Sequence, residues 1–227
     1  MRLYNDAGQR KYLTPEERSR FLCAAKESAR DVRVFCEILA HTGCRVSEAL
    51  ALTGGRIDLG AGVIVIESLK KRRKGLFRAV PVPPALLKLI EGAYDLAAMR
   101  ETRLVKWSRS TAWRRTKSVL AAAGIEGAFA SPKGLRHGFA ICAVASEIPL
   151  NLVRRWMGHS SLEITSIYAD AVGSIERRIA ERMWRGADAA DTPREGIAFR
   201  APAYWRPVFT GFQEVRDYEQ TRFAAWK

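Results

Sequence analysis

The chain has no run of eighteen apolar residues, so no stretch of it reads as a bilayer-spanning helix. Its opening, Met1-Arg-Leu-Tyr-Asn-Asp6, lacks the apolar centre of a signal peptide, which points to a cytoplasmic protein. Cysteines number 4, and none of Cys23, Cys36, Cys44 and Cys142 forms a CxxC pair. Each sits in apolar, helical surroundings and reads as a small buried hydrophobe in a reducing compartment. The histidines, His41, His137 and His159, have no metal-ligand spacing, so neither a metal nor a cofactor is expected. No segment repeats at a period of about 20 to 50 residues, which excludes solenoids and propellers. Acidic residues are in short supply. Asp plus Glu total 24 against 38 Lys plus Arg, a net charge of +14. A sequence pI near 10.1 implies a polyanionic partner. A ribosome-associated protein would share that charge. A membrane surface is a poorer fit, because no basic amphipathic helix stands apart from the body.

What is present suffices for one sizeable domain or two small ones: 227 residues, 48% of them hydrophobic. Thr14-Pro-Glu-Glu17 reads as a capped helix start running to about Ala29, with Phe21, Leu22 and Ala25 on one face. A second helix opens at Asp31 and stops near Gly43. Cys44 to Leu52 reads as a short apolar helix headed by Arg45, whose local partner is Glu48 at i+3. The β-branched run Val63 to Ile66 and the segment Phe77 to Val82 form a hairpin around a basic turn, Lys70-Lys-Arg-Arg-Lys-Gly75. Pro81, Pro83 and Pro84 mark its second strand as an edge and then start a helix over about Ala85 to Met99.

Further along, Trp113 to Leu120 reads as a helix stopped at Gly124. Its Arg114, Arg115 and Lys117 either lie on phosphates or form a solvated face around one buried Trp. The hairpin tip, with Lys71, Arg72, Arg73 and Lys74, is a second candidate for backbone contacts to nucleic acid. Helices over Leu135 to Ser146, Leu150 to Met157 and from a capping box at Ser160 to Glu163 follow, the last carrying Tyr168. A charged helix over Ile175 to Trp184 completes the set. Beyond Gly186 periodicity fades, and the segment reads as an extended tail with a short final helix over Gln213 to Trp226.

The densest chemistry lies in two stretches, Ser131-Pro-Lys-Gly-Leu-Arg-His-Gly-Phe-Ala140 and Trp156-Met-Gly-His-Ser-Ser-Leu-Glu-Ile-Thr-Ser-Ile-Tyr-Ala-Asp170. Lys133 and Arg136 lie three apart, so one helical turn can aim both at one spot. A bidentate guanidinium, an ammonium, an imidazole and a phenol suit the holding and attack of a phosphodiester.

With the segment Thr42-Gly-Cys-Arg-Val-Ser-Glu-Ala-Leu-Ala-Leu52, these stretches resemble the tyrosine recombinase (phage integrase) family over roughly Leu13 to Glu181. Three motifs carry the resemblance in order: that segment with Arg45; Lys133-Gly-Leu-Arg-His-Gly-Phe-Ala140; and Leu152 to Ala169, with His159 and Tyr168. It implies a fold that is mainly α with a small antiparallel β-sheet. It also implies a site-specific DNA recombinase that cuts and rejoins DNA through a 3′-phosphotyrosine, in integration, excision or inversion. Tyr168 would be the nucleophile, Arg45 and Arg136 the clamps on the non-bridging oxygens, and His159 a further donor. A hairpin lysine, Lys70 for its place at a strand end, would protonate the departing 5′-oxygen. Lys133 stands where the family's second motif usually begins with His, and a phosphate contact suits it better than a base role. Glu48 and Asp170 are expected to brace the cations, and His137 to stand behind Arg136.

The same resemblance implies double-stranded DNA at a specific site as partner, a tetramer on that DNA, and a nucleoid-associated location. Residues 1–186 would be the catalytic domain. Residues 187–227 would be a tail packed in cis or on a neighbouring protomer. The N-terminal DNA-clamping domain usual in the family has no counterpart in this sequence. The chain is then either a compact single-domain member, similar to fimbrial-type DNA invertases, which the Met1 start favours, or a fragment. Two other readings fit the charge and part of the pattern. One is a catalytically silent recombinase-like DNA-binding or architectural protein; the other is a type IB topoisomerase-like enzyme.

Overall fold

Thr14 caps the first helix as its sequence foretells: its hydroxyl accepts from the Glu17 N–H and the Glu17 carboxylate accepts from the Thr14 N–H. The computed structural model describes residues 3–69 and 75–168. Lys70, Lys71, Arg72, Arg73, Lys74 and Asp170, the expected helix over Ile175 to Trp184 and the tail from residue 187 lie outside the described residues. Helix α1 spans Pro15–Lys26 and α2 spans Arg30–Thr42, the latter closed by Gly43 in the left-handed conformation (φ 59°). Helix α3 is a short turn, Val46–Leu50. Strands β1 (Ile57–Asp58), β2 (Val63–Glu67) and β3 (Phe77–Pro81) form one antiparallel sheet in that order. Helices α4 (Pro84–Ala93), α5 (Arg109–Ala122), α6 (Pro132–Ala145), α7 (Leu150–Met157) and α8 (Glu163–Ser166) follow. The fold is therefore mainly α with a small antiparallel sheet.

Four expectations need correction. Helix α4 stops at Ala93 rather than near Met99: Tyr94 turns extended, and the carbonyls of Met99 and Arg100 accept from Gly54 and Gly55 instead of continuing a helix. The capping box at Ser160 does not form. Helix α8 starts at Glu163 without a side-chain cap, and Tyr168 lies in the turn beyond its last residue. Cys23 is exposed, unlike the buried Cys36 and Cys44. Trp113 is not the buried residue of its helix; it stands 48% exposed on α5.

The main core joins α1, α2, α4, α5 and the inner face of the sheet through Phe21, Phe35, Ile38, Ile64, Ile66, Leu86 and Leu120. A second core, formed by Phe139, Ile141, Val153, Met157 and Tyr168, lies under α6 and α7, and Trp156 packs against both. Helix α6 is buried along nearly its whole length. Two glycines allow this. A Cβ on Gly134 would fall within the Phe129 carbonyl group, and one on Gly138 would meet the Leu13 carbonyl oxygen at 2.8 Å. Neither neighbour is a flexible side chain that can swing away. Gly134→Ala is expected to destabilise the protein by roughly 2–4 kcal/mol. An unchanged urea midpoint in that variant would contradict this packing.

Candidate active site

Helix ends build the site. The last four carbonyls of a helix lack intrahelical partners, and a cation suits that end of the dipole. In α7 all four are accounted for. The N–H groups of His159 and Gly158 donate to Arg154 and Arg155, both at 3.1 Å. Gly158, at φ 65°, thus closes a Schellman motif, and His159 is fixed by its own backbone just beyond the turn. The remaining two carbonyls accept from guanidinium groups: Trp156 from Arg78 Nε at 2.6 Å, and Met157 from Arg136 Nη2 at 2.7 Å. The other fork of Arg136 donates at 2.6 Å to the carbonyl of Gly43, the residue that ends α2. One buried arginine therefore closes two helices and ties the first sequence motif to the third. Burial, then the charges of Arg45 and Arg78, lowers its pKa to about 10, so it stays protonated at neutral pH.

Arg45 precedes α3. Its backbone N–H and its Nη1 both donate to Glu48, at 2.9 and 2.7 Å. The i+3 pairing expected from sequence is therefore present. Glu48 is fully buried and also accepts from Arg78 Nη2 at 2.6 Å. Burial alone would raise its pKa, but Arg78 first and then Arg45 outweigh that and hold it below the usual carboxylate value. Two guanidinium groups thus share one carboxylate, while among the described residues the third arginine of the site, Arg136, bonds only backbone carbonyls. Arg45 keeps its side chain 30% exposed and is the most accessible of the three.

Tyr168 is completely enclosed, its hydroxyl 2.9 Å from Nδ1 of His137. The imidazole of His159 lies nearly parallel to the phenol ring, at a centroid distance of 6.2 Å and an angle of 14°. Burial raises the phenol pKa to about 12, against the pull of Arg136 and Arg45. His137, next to Arg136 in sequence, makes its hydrogen bond to the tyrosine. Its Nε2 is buried with no partner among the described residues. A bare ring nitrogen is a cheaper orphan than an N–H, which favours the tautomer whose Nδ1–H donates to the phenol oxygen. Burial, then Lys133, Arg136 and Lys11, lowers the His137 pKa to about 4. His159 falls to about 3 through burial, then Arg136 and Arg45, and its Nδ1 meets the buried Thr165 hydroxyl at 3.0 Å.

Among the described residues Lys133 and Arg136 share no acceptor. Lys133 is exposed in the first turn of α6, whereas Arg136 is buried. On α5, Arg114 is exposed. Arg115 pairs with Asp31 at 2.9 Å and stacks over Trp107, and Lys117 donates to the Ala130 carbonyl at 2.8 Å. Sequence reading missed Arg78 and Thr165. Arg78 had a signal: in the alternation of β3 it shares the inward face with Val80, opposite Ile66.

A model of the phage integrase family matches residues 11–173. The tyrosine recombinase XerA of Thermococcus kodakarensis is 30% identical over 181 residues, taking in 76% of this chain and 62% of its own. XerD of Neisseria meningitidis serogroup A is 33% identical over 175 residues, 69% of this chain and 57% of its own. The chain thus spans about 60% of the length of these relatives. Among solved structures, that of XerA recombinase gives a TM-score of 0.62 at 25% identity, covering 76% of this chain and 62% of that one. The catalytic domain of bacteriophage HP1 integrase shares the fold, with a TM-score of 0.56 at 22% identity, over 75% of this chain and 93% of that domain. With a family model matched across all three motifs and a site drawn together from each of them, the chain belongs to the phage integrase family.

Proposed function

We propose that this protein is a site-specific DNA recombinase acting through a 3′-phosphotyrosine. The observation that carries the reading is the tie that buried Arg136 makes between the carbonyls of Gly43 and Met157, which joins the Arg45 segment to the His159 turn, with the His159 ring lying nearly parallel to the Tyr168 phenol. In the reaction the Tyr168 oxygen attacks phosphorus and gives up its proton to solvent, the P–O5′ bond breaks, and the 5′-oxygen takes up a proton to leave as a hydroxyl. Arg45 and Arg136 stabilise the charge gathered on the non-bridging oxygens. His159 is neutral; when the Thr165 hydroxyl donates to its Nδ1, the ring proton sits on Nε2 and is free for a phosphate oxygen. Lys70 is the proposed proton donor to the 5′-oxygen, and Lys133 a phosphate contact. Reversal by a 5′-hydroxyl restores the phosphodiester without ATP, because the covalent link retains the energy of the broken bond. The proposed partner is double-stranded DNA at a specific site, bound by a tetramer in the cytoplasm, at the nucleoid. Lys71, Arg72, Arg73, Lys74 and Arg114 are the proposed backbone contacts, consistent with the net charge of +14.

A catalytically silent DNA-binding role draws on one contrary observation, the complete burial of Tyr168. One experiment decides between the two. Nicked duplexes tiling the DNA on both sides of the coding sequence are incubated with the protein, and SDS-resistant adducts are mapped to base and residue. An adduct at Tyr168 is expected, and Tyr168→Phe should abolish it while changing DNA affinity less than about threefold. Binding without any adduct on every duplex would favour the silent role, and an adduct that survives in the Phe variant would remove Tyr168 as nucleophile.

A further inference from the structure

Arg78 is the arginine of the site that no motif marks. Its side chain is 4% exposed, and its donors are committed to three acceptors on three elements: the Glu48 carboxylate beyond the start of α3, the Ser68 hydroxyl at the end of β2, and the Trp156 carbonyl at the end of α7. Its guanidinium also lies against Gly158, where an added Cβ would sit 3.0 Å from Nη1 and 3.1 Å from Cζ. Buried and so engaged, it has no face for DNA.

We propose that Arg78 is a positioning residue for strand cleavage: from the hairpin it sets Arg45 through Glu48 and the His159 turn through the Trp156 carbonyl. The proposal rests on the recombinase reading above. Glu48 binds Arg45 with both oxygens engaged, one of them shared with Arg78, so its orientation is fixed from the sheet side. The Trp156 carbonyl is adjacent to the Met157 carbonyl that holds Arg136, and three residues before His159. The strand that leads out of the basic turn is thereby pinned to both phosphate-holding arginines. Lysine cannot replace this fork. It keeps the charge beside Glu48 but offers a single nitrogen for acceptors that lie in three directions. A displacement of about 1 Å among reacting groups is enough to cost on the order of a hundredfold in rate.

The test is single-turnover cleavage of the duplex captured in the experiment above, at saturating DNA, by Arg78→Lys and by the milder Ser68→Ala, which removes only the hairpin anchor. DNA affinity is measured separately with each substitution placed in the Tyr168→Phe background. A merely structural role lowers the fraction of active molecules and hence the endpoint; mispositioning lowers the rate constant. The expected result for Arg78→Lys is a rate constant reduced ten- to a hundredfold with affinity within threefold, and for Ser68→Ala a smaller loss in the same direction. A rate constant within twofold of the parent, with only the endpoint reduced, would overturn the proposal, as would an affinity that falls in step with the rate. A parent protein that forms no adduct removes the recombinase reading itself, and the proposal with it; that outcome is seen without any variant.

Discussion

Glu48→Ala is expected to cost about 3–5 kcal/mol of folding stability. Removing one member of a buried charge cluster leaves the others uncompensated, and here two cations are stranded at once, Arg45 and Arg78. Against a total of about 5–15 kcal/mol for a typical domain, that is a large share of the whole. With a urea slope of about 2 kcal/mol per molar, the midpoint should fall by about 2 M. Glu48→Gln keeps the shape and two lone-pair directions and should lie between the parent and the Ala variant. The same carboxylate contributes to acid lability. Its folded pKa lies below the unfolded value, so its stabilisation is present above that unfolded value and is lost as pH falls through the lower, folded one. An Ala variant with a parental urea midpoint would mean that the pairing contributes nothing.

A second large effect is a steep loss of stability as pH falls from about 6.5 toward 4. His41, His137 and His159 are all held neutral in the fold. Burial is the leading cause in each case, with Arg18 acting next on His41, Lys133 and Arg136 on His137, and Arg136 and Arg45 on His159. Their folded pKa values stand at about 4, about 4 and about 3. In the unfolded chain each binds a proton near pH 6.5. Below that pH the unfolded state holds more protons, so stability falls with pH and the loss levels off only near the folded values. His137 is 1% exposed and alone accounts for about 3 kcal/mol by pH 4, with smaller shares from the two half-buried rings. Urea midpoints measured at pH 7.5, 6.5, 5.5 and 4.5 test this. A midpoint that stays level between pH 7 and pH 5 would show that the rings titrate normally in the fold.

The helices were legible where end signals and periodicity agree: Thr14, Gly43 and Gly124 stand where the elements begin or stop. Sequence reading failed where tertiary bonds decide. Residues 94–100 have the composition of a helix, yet the carbonyls of Met99 and Arg100 go to Gly54 and Gly55 across the fold. In the site, Arg45–Glu48 was readable because it is local, at i+3. The partners of Arg78 are not local: Trp156 lies 78 residues away and Glu48 30. The bond of His137 to Tyr168 is illegible for a similar reason, since that partner lies 31 residues on, beyond two helices.

The enclosure of Tyr168 carries a kinetic corollary. With its oxygen out of reach and bonded to His137, Tyr168 could act as the proposed nucleophile only in the fraction of molecules in which it has left that seat. An opening cost of ~3 kcal/mol would leave fewer than about one molecule in a hundred competent at any instant, and the observed rate would scale with that population rather than with affinity. On the proposed recombinase reading, brief encounters with DNA would then end in dissociation, and breakage would be confined to complexes that outlast the opening.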